Sequence, residues 1–200
     1  MKAFVPPEFS LPALWTVDAV LPAALRLALN IEGFEISPED RRLLRSLRRG
    51  RLLYMGNHPT DVEPPTAYYI ANVMGARFHY MASRAVFSRH GGALGHLIKR
   101  LGAFSVLAGA ADRDSIKTAR QVLSQPNGKL VIYPEGMESG ENDVLMPFQP
   151  GAVQIGFWGL EDARKAEPAA DIPVLPAYVK YILSGSKSGK RRDIEESLRR

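Results

Sequence analysis

Residues 51–64 read RLLYMGNHPTDVEP, an apolar run that ends in glycine, asparagine, histidine and proline. The apolar run predicts a buried strand over 51–55. Apolar residues at Tyr68, Ile70 and Val73 then predict a helix over 59–73. Because a strand that runs directly into a helix is the repeating unit of α/β proteins, this stretch indicates the fold class.

The same alternation continues on both sides of this unit. Ser37, Pro38 and the two acids that follow predict a helix start, and that helix is expected to run to residue 49. We therefore expect an α/β fold with a mixed, largely parallel central sheet flanked by helices. The other helices are predicted over 94–101, 114–123 and 152–166, and the other strands over 78–81, 104–107, 130–133 and 174–181.

The composition excludes several classes of protein. The chain has 200 residues, a net charge of +5 and no cysteine, with 46% apolar and 24% charged residues. Those proportions exclude a wholly disordered chain, a collagen-like fibre and a coiled coil. Without cysteine there is no disulfide scaffold, thiolate zinc site or cysteine nucleophile. The sequence also lacks a Walker loop and a dinucleotide-binding GxGxxG, and no GxSxG elbow supports a serine hydrolase. The histidines His79, His90 and His96 lack a partner at metal-ligand spacing, so we expect no cofactor and no metal.

Three polar segments, at 57–63, 112–115 and 134–139, each follow a predicted strand. Ligands of α/β sheets bind outside the carboxyl ends of the strands. We therefore expect the three segments to converge on one crevice.

His58 is the candidate general base of this crevice, because imidazole exchanges protons near neutral pH. Such a base needs a carboxylate on its other ring nitrogen to orient it. Asp61, three residues on, and Glu63, five residues on, are both candidates for that partner. The alternative interpretation is a histidine that only caps or packs.

Four further residues are candidates for substrate binding. Glu135 follows a predicted strand and can accept hydrogen bonds from a sugar-like or glycerol hydroxyl, and Gly136 permits close backbone approach. Arg113 precedes a helix start, where a guanidinium and free amides form an anion site, and Arg84 is a weaker candidate of the same kind. The structural alternatives are a plain turn and arginines paired with neighbouring aspartates.

In order and spacing, these segments resemble the motifs of the glycerolipid acyltransferase superfamily, the relatives of bacterial lysophosphatidic acid acyltransferase. NHPTDVEP at 57–64 is similar to the family's Asn-His pair with an acid five residues after the histidine. The resemblance covers about 52–181. The other motifs are matched by GAFSV at 102–106 with Arg113, YPEGMES at 133–139, FQPGA at 148–152 and IPVLPAY at 172–178.

The resemblance implies a glycerol-3-phosphate acyltransferase-like fold and acyl transfer without a covalent enzyme intermediate. His58 would deprotonate an acceptor hydroxyl, Glu63 would orient it, and the alkoxide would attack an acyl thioester. Arg113 and Glu135 would hold the acceptor, and backbone amides near Gly136 would stabilise the oxyanion. The implied donor is acyl-CoA or acyl carrier protein. The implied acceptor is a lysophospholipid similar to 1-acylglycerol-3-phosphate.

Three positions depart from the family pattern. Glu63 stands where an aspartate is usual, which keeps Asp61 open as the partner of His58. Glu138 replaces the arginine that helps to hold the acceptor's phosphate, and Arg113 lies further from its strand than usual. Two alternatives therefore stay open: an unphosphorylated acceptor such as a glycolipid or other alcohol, and a non-catalytic lipid-binding or scaffold protein.

A lipid acceptor implies docking on a membrane. We expect residues 1–36 to form an apolar, membrane-docking segment, 37–183 a catalytic domain and 184–200 a charged tail. Six arginines within 41–51 would add attraction to anionic lipid, although such runs also form plain solvated faces. The expected location is peripheral or monotopic, on the cytoplasmic face of a membrane. The expected partners are the acceptor, the acyl donor and the membrane surface, with no nucleic acid.

The apolar stretch 11–29 is interrupted by Asp18, Pro22 and Arg26, which favours a helix lying in the membrane interface over a spanning one. A helix that packs on the domain's own core is the alternative. The residues expected to share its apolar face are Trp15, Val17, Leu21, Leu25 and Leu29.

Overall fold

The structure is a computed structural model that describes residues 4–107 and 112–182. The predicted charged tail, 184–200, lies outside the described residues. The strands are β1 (Leu52–Gly56), β2 (His79–Ser83), β3 (Ala103–Val106), β4 (Lys129–Ile132) and β5 (Val174–Ala177). The α-helices are α1 (Leu11–Ala28), α2 (Pro38–Ser46), α3 (Glu63–Met74), α4 (Ala93–Arg100), α5 (Arg113–Ser124) and α6 (Pro150–Ala166), with a 3₁₀ helix at Val86–Gly92.

The five strands form one sheet in the order β3-β2-β4-β1-β5. The predicted α/β fold with flanking helices is confirmed. The sheet is all parallel rather than mixed, because each of the four pairings between these strands is parallel. Parallel strands need a crossover between them, and the helices supply it. The carboxyl ends of β1 and β4, which are neighbours, therefore lie at the same edge.

An apolar core lies on each face of the sheet. Leu52 and Tyr54 of β1 belong to the core that α1, α2 and α3 cover. Leu53 belongs to the opposite core, which α5 and α6 cover. Successive side chains of a strand point to opposite faces, so one five-residue strand contributes to both cores.

Most boundaries lie within two residues of the predicted ones, and α2 ends at Ser46 rather than at residue 49. Two larger differences have local reasons. Helix α3 begins at Glu63 rather than at residue 59, because Pro64 and Pro65 lack a backbone N–H and fit only in a first turn. Strand β5 ends at Ala177 rather than at residue 181. Beyond Ala177 the backbone bonds to asparagine side chains in place of a neighbouring strand.

Helix α1 lies against the domain along one side. Leu14 and Leu25 are buried, and Asp18 accepts hydrogen bonds from the Tyr68 hydroxyl and from Arg77. The expected shared face is wrong for Trp15, which is 66% exposed and points away from the domain. One residue advances a helix by about 100°, so Trp15 cannot face the same way as its buried neighbour Leu14.

Among the described residues, α1 is the one helix long and apolar enough to span a membrane by length and composition.

The segment before α1 belongs to the folded domain, because residues 4–10 run along the outer edge of β3. The amide of Ser105 donates to the Val5 carbonyl at 3.0 Å, and that of Gly102 to the Glu8 carbonyl at 3.1 Å. This segment covers a strand edge that would otherwise stay unpaired.

Candidate active site

The loops after β1 and β4 are bonded to each other at the carboxyl edge of the sheet. The His58 amide donates to Oε1 of Glu135 at 2.8 Å. The amides of Ser139 and Gly140 in turn donate to the carbonyls of His58 and Pro59, at 2.9 and 3.0 Å. Two of the three polar segments expected to converge, 57–63 and 134–139, are therefore in direct contact.

His58 is paired with Glu63 within this contact. Nδ1 of His58 lies 2.9 Å from Oε2 of Glu63. The Glu63 side chain is only 1% exposed, whereas the imidazole is 16% exposed. A carboxylate that accepts a hydrogen bond from Nδ1 holds the proton on that nitrogen and leaves Nε2 with its lone pair. The ring also lies against Tyr133, with centroids 4.5 Å apart.

The Glu63 carboxylate is held by four donors. Oε2 accepts from His58 and from the Thr60 amide at 2.9 Å. Oε1 accepts from the Thr60 hydroxyl at 3.1 Å and from the Tyr181 hydroxyl. Burial alone raises the pKa of this carboxyl, but the hydrogen bonds from His58, Tyr181 and Thr60 outweigh burial and lower it overall. Glu63 is therefore ionised near neutral pH.

Glu135 is part of the framework of the site. Its side chain is 2% exposed, and its two oxygens accept from the amides of His58 and Met146 at 2.8 and 3.0 Å. Both oxygens thus support backbone of the site, and the expected role of holding an acceptor stays a prediction. The amide of Gly136 is likewise engaged, since it donates to the Tyr133 carbonyl at 3.1 Å.

The model of one protein family, Acyltransferase, matches residues 29–180. This range includes the His58–Glu63 pair, the contact with Glu135 and every strand of the sheet. The chain belongs to the glycerolipid acyltransferase family. It is therefore an acyltransferase, with an acyl donor and an acceptor as substrates. No curated protein matches the chain.

The structure decides between the two carboxylates offered to His58. Asp61 of the acyltransferase is exposed, while Glu63 makes the contact with the imidazole. Residues 57–62 are a loop rather than the predicted helix turn, and the loop curls back on the first residue of α3. In that geometry Glu63, five residues after His58, faces the imidazole, and Asp61, three residues after it, points to solvent.

The two arginines of the acyltransferase lie at the same edge but on other strands. Arg84 follows β2 and pairs with Asp112 at 2.6 Å, so the pairing expected as the structural alternative holds for Arg84. Arg113 is the exposed first residue of α5, next to Asp112, which caps that helix. β2 lies two strands from β1, so Arg84 is about 10 Å from the His58 loop across the sheet.

Two partners of Glu63, Thr60 and Tyr181, were not predicted from the sequence. Thr60 had a local signal, because Thr-x-x-Glu before an apolar helix is a capping pattern in which the glutamate reaches back to the threonine amide. Tyr181 had no such signal. It lies 118 residues from Glu63 in the chain, inside a stretch predicted to be strand.

Proposed function

We propose that this acyltransferase moves a fatty acyl group from acyl-CoA or acyl carrier protein to a hydroxyl of a lysophospholipid-like acceptor, in glycerolipid synthesis. The observation that carries the proposal is the 2.9 Å contact between Nδ1 of His58 and a buried, ionised Glu63. It leaves Nε2 of the half-buried imidazole as the basic atom at the carboxyl edge of the sheet.

In the proposed reaction, Nε2 of His58 takes the proton of the acceptor hydroxyl as its oxygen attacks the thioester carbonyl. The tetrahedral intermediate then expels the thiolate, which takes the proton back from the imidazolium. The products are an ester and a free thiol, and no acyl group is attached to the protein. Glu63 orients the ring and stabilises the imidazolium while it exists.

The acceptor's head group is proposed to bind near Arg113. This guanidinium is exposed at the amino end of α5, where the helix dipole also favours an anion. Glu138 is exposed as well, and it directly precedes Ser139, whose amide donates to the His58 carbonyl. Because a carboxylate there repels a phosphate, Glu138 favours a second candidate acceptor, an unphosphorylated lipid alcohol or glycolipid.

The membrane surface is proposed as the source of the acceptor. Trp15 and Leu27 of α1 are 66% and 85% exposed, while the opposite side of the helix packs against the domain. Tryptophan and leucine on an anchored helix are typical of interfacial docking. Of the six arginines within 41–51 that were expected to attract anionic lipid, Arg51 is buried and paired with Glu167. Since thioester donors are cytoplasmic molecules, we propose the cytoplasmic leaflet.

Thiol release from a long-chain acyl thioester tests the reaction. The chain has no cysteine, so a thiol reagent detects only the released CoA or carrier protein. The acceptor panel should pair each lysophospholipid with an unphosphorylated analogue. We expect release that depends on one acceptor and falls at least about a hundredfold in His58→Ala and in Glu63→Gln. Asp61→Asn is the matched control and should keep full activity.

Two results would contradict the proposal. Full activity in His58→Ala would remove the general base and with it the mechanism. No release with any acceptor or donor, from folded protein bound to vesicles, would favour the non-catalytic lipid-binding alternative.

A further inference from the structure

The five residues after β5 return the chain to the candidate active site, and we call residues 178–182 the return segment. Tyr181 of this segment donates its hydroxyl to Oε1 of Glu63. Burial, together with that hydrogen bond, raises the pKa of the phenol. Tyr181 therefore stays protonated and acts only as a donor to the carboxylate.

Two asparagine side chains hold the return segment in place of a neighbouring strand. Asn57 donates to the Val179 carbonyl at 2.9 Å and accepts from the Val179 amide at 2.7 Å. Asn142 makes the same two bonds with the backbone of Tyr181, at 2.9 and 2.8 Å. An amide side chain that bonds both backbone groups of one residue leaves that residue little freedom. The backbone that carries the Tyr181 side chain is thus held at Val179 and at Tyr181 itself.

The donors divide the Glu63 carboxylate into two halves. Oε2 faces His58, and Oε1 faces Tyr181 and the Thr60 hydroxyl. A glutamate has one more rotatable bond than an aspartate, so its carboxylate can turn away from the imidazole. Donors on Oε1 oppose that rotation, because turning the group would leave a buried oxygen unpaired.

We propose that Tyr181 is a positioning residue of this acyltransferase: its hydroxyl holds Oε1 of Glu63 so that Oε2 stays on Nδ1 of His58. The proposal rests on the proposed function, in which His58 is the base. It gives the return segment a role in a site that is otherwise built from the loops after β1 and β4.

Tyr181→Phe is the direct test, because it keeps the ring and removes only the donor. Tyr178→Phe is the matched control. Tyr178 lies in the same segment, is exposed, and bonds the Asn142 carbonyl rather than Glu63. The first readout needs no substrate: ¹⁵N NMR of the imidazole reports which ring nitrogen of His58 carries the proton. The His58→Ala protein identifies the signal.

We expect the wild type and Tyr178→Phe to show a single His58 tautomer with the proton on Nδ1, and Tyr181→Phe to show a mixture. In the thiol-release assay, we expect kcat of Tyr181→Phe to fall about tenfold or more, with KM unchanged. The acidic limb of its pH profile should move to higher pH. A carboxylate that loses a donor is more easily protonated, so a higher pH is needed to keep Glu63 ionised.

A double-mutant cycle with Glu63→Asp separates positioning from packing. The shorter carboxylate cannot reach the phenol and the imidazole together, so removing the Tyr181 hydroxyl from this background should change kcat less than about threefold. A hydroxyl that only fills space would have the same effect in both backgrounds.

The proposal is overturned if Tyr181→Phe keeps the wild-type tautomer, kcat and acidic limb, or if Tyr178→Phe changes them equally. These results leave the proposed function intact. The proposed function fails separately if the His58 signal is unchanged in Glu63→Gln, or if His58→Ala is fully active.

Discussion

Replacing Glu135 with alanine tests whether this carboxylate builds the site or binds a substrate. The side chain is 2% exposed, and it accepts from the amides of His58 and Met146 at 2.8 and 3.0 Å. Alanine would leave both N–H groups buried without an acceptor. A buried donor without a partner costs about 1–3 kcal/mol, so we expect Glu135→Ala to lose about 2–6 kcal/mol of stability.

Glu135→Gln should lose about half as much. Its amide oxygen can still accept from one N–H, while its NH₂ group faces the other donor and leaves one group unpaired, for about 1–3 kcal/mol. A loss of 2–6 kcal/mol is a large part of the roughly 5–15 kcal/mol that stabilises a typical domain. The loop that carries His58 should become mobile in both variants, so activity should fall together with stability.

Urea unfolding followed by circular dichroism measures the loss. With a slope of about 2 kcal/mol per molar urea, the midpoint of Glu135→Ala should fall by about 1–3 M. Glu138→Ala is the control, because Glu138 is exposed and three residues away, and its midpoint should not change. An unchanged midpoint for Glu135→Ala, with KM for the acceptor raised, would refute the reasoning and return Glu135 to an acceptor-binding role.

Two further predictions concern the N-terminal helix and the opposite edge of the sheet. Trp15→Glu and Leu27→Glu should each weaken flotation with anionic vesicles. The urea midpoint should not change, because both side chains point away from the domain. Undiminished flotation of both variants would contradict docking through α1. Burial lowers the pKa of His79 from 6.5 to about 4. Between these pH values, His79 of the unfolded chain binds a proton and His79 of the folded protein does not. The free energy of unfolding should therefore fall as the pH drops from 6.5 towards 4. In His79→Phe, urea midpoints taken across this range should fall less. An identical fall in both proteins would show that His79 is not the cause.

Local patterns predicted much of the fold. Short, largely apolar stretches indicated all five strands, because the core of a sheet accepts little else. The start of α3 was predicted wrongly, at residue 59 instead of Glu63, and the acids three and five residues after His58 were left as two candidates for its partner. The exposed face of α1 was predicted less well, because many of its residues are apolar and composition alone does not show which side meets the domain.

The sequence alone determined three features: the alternation of strands and helices, the candidate base His58, and the choice of Asp61 or Glu63 as its partner. Each of these features depends on neighbours a few residues apart. Only the tertiary structure decided that Glu63 is the partner, that Glu135 supports the backbone of His58, and that Tyr181 completes the carboxylate's bonding. The last two are contacts across 77 and 118 residues of chain. Such contacts arise because parallel strands bring distant segments to one edge of the sheet, and no pattern within a segment records which distant residue it will meet there.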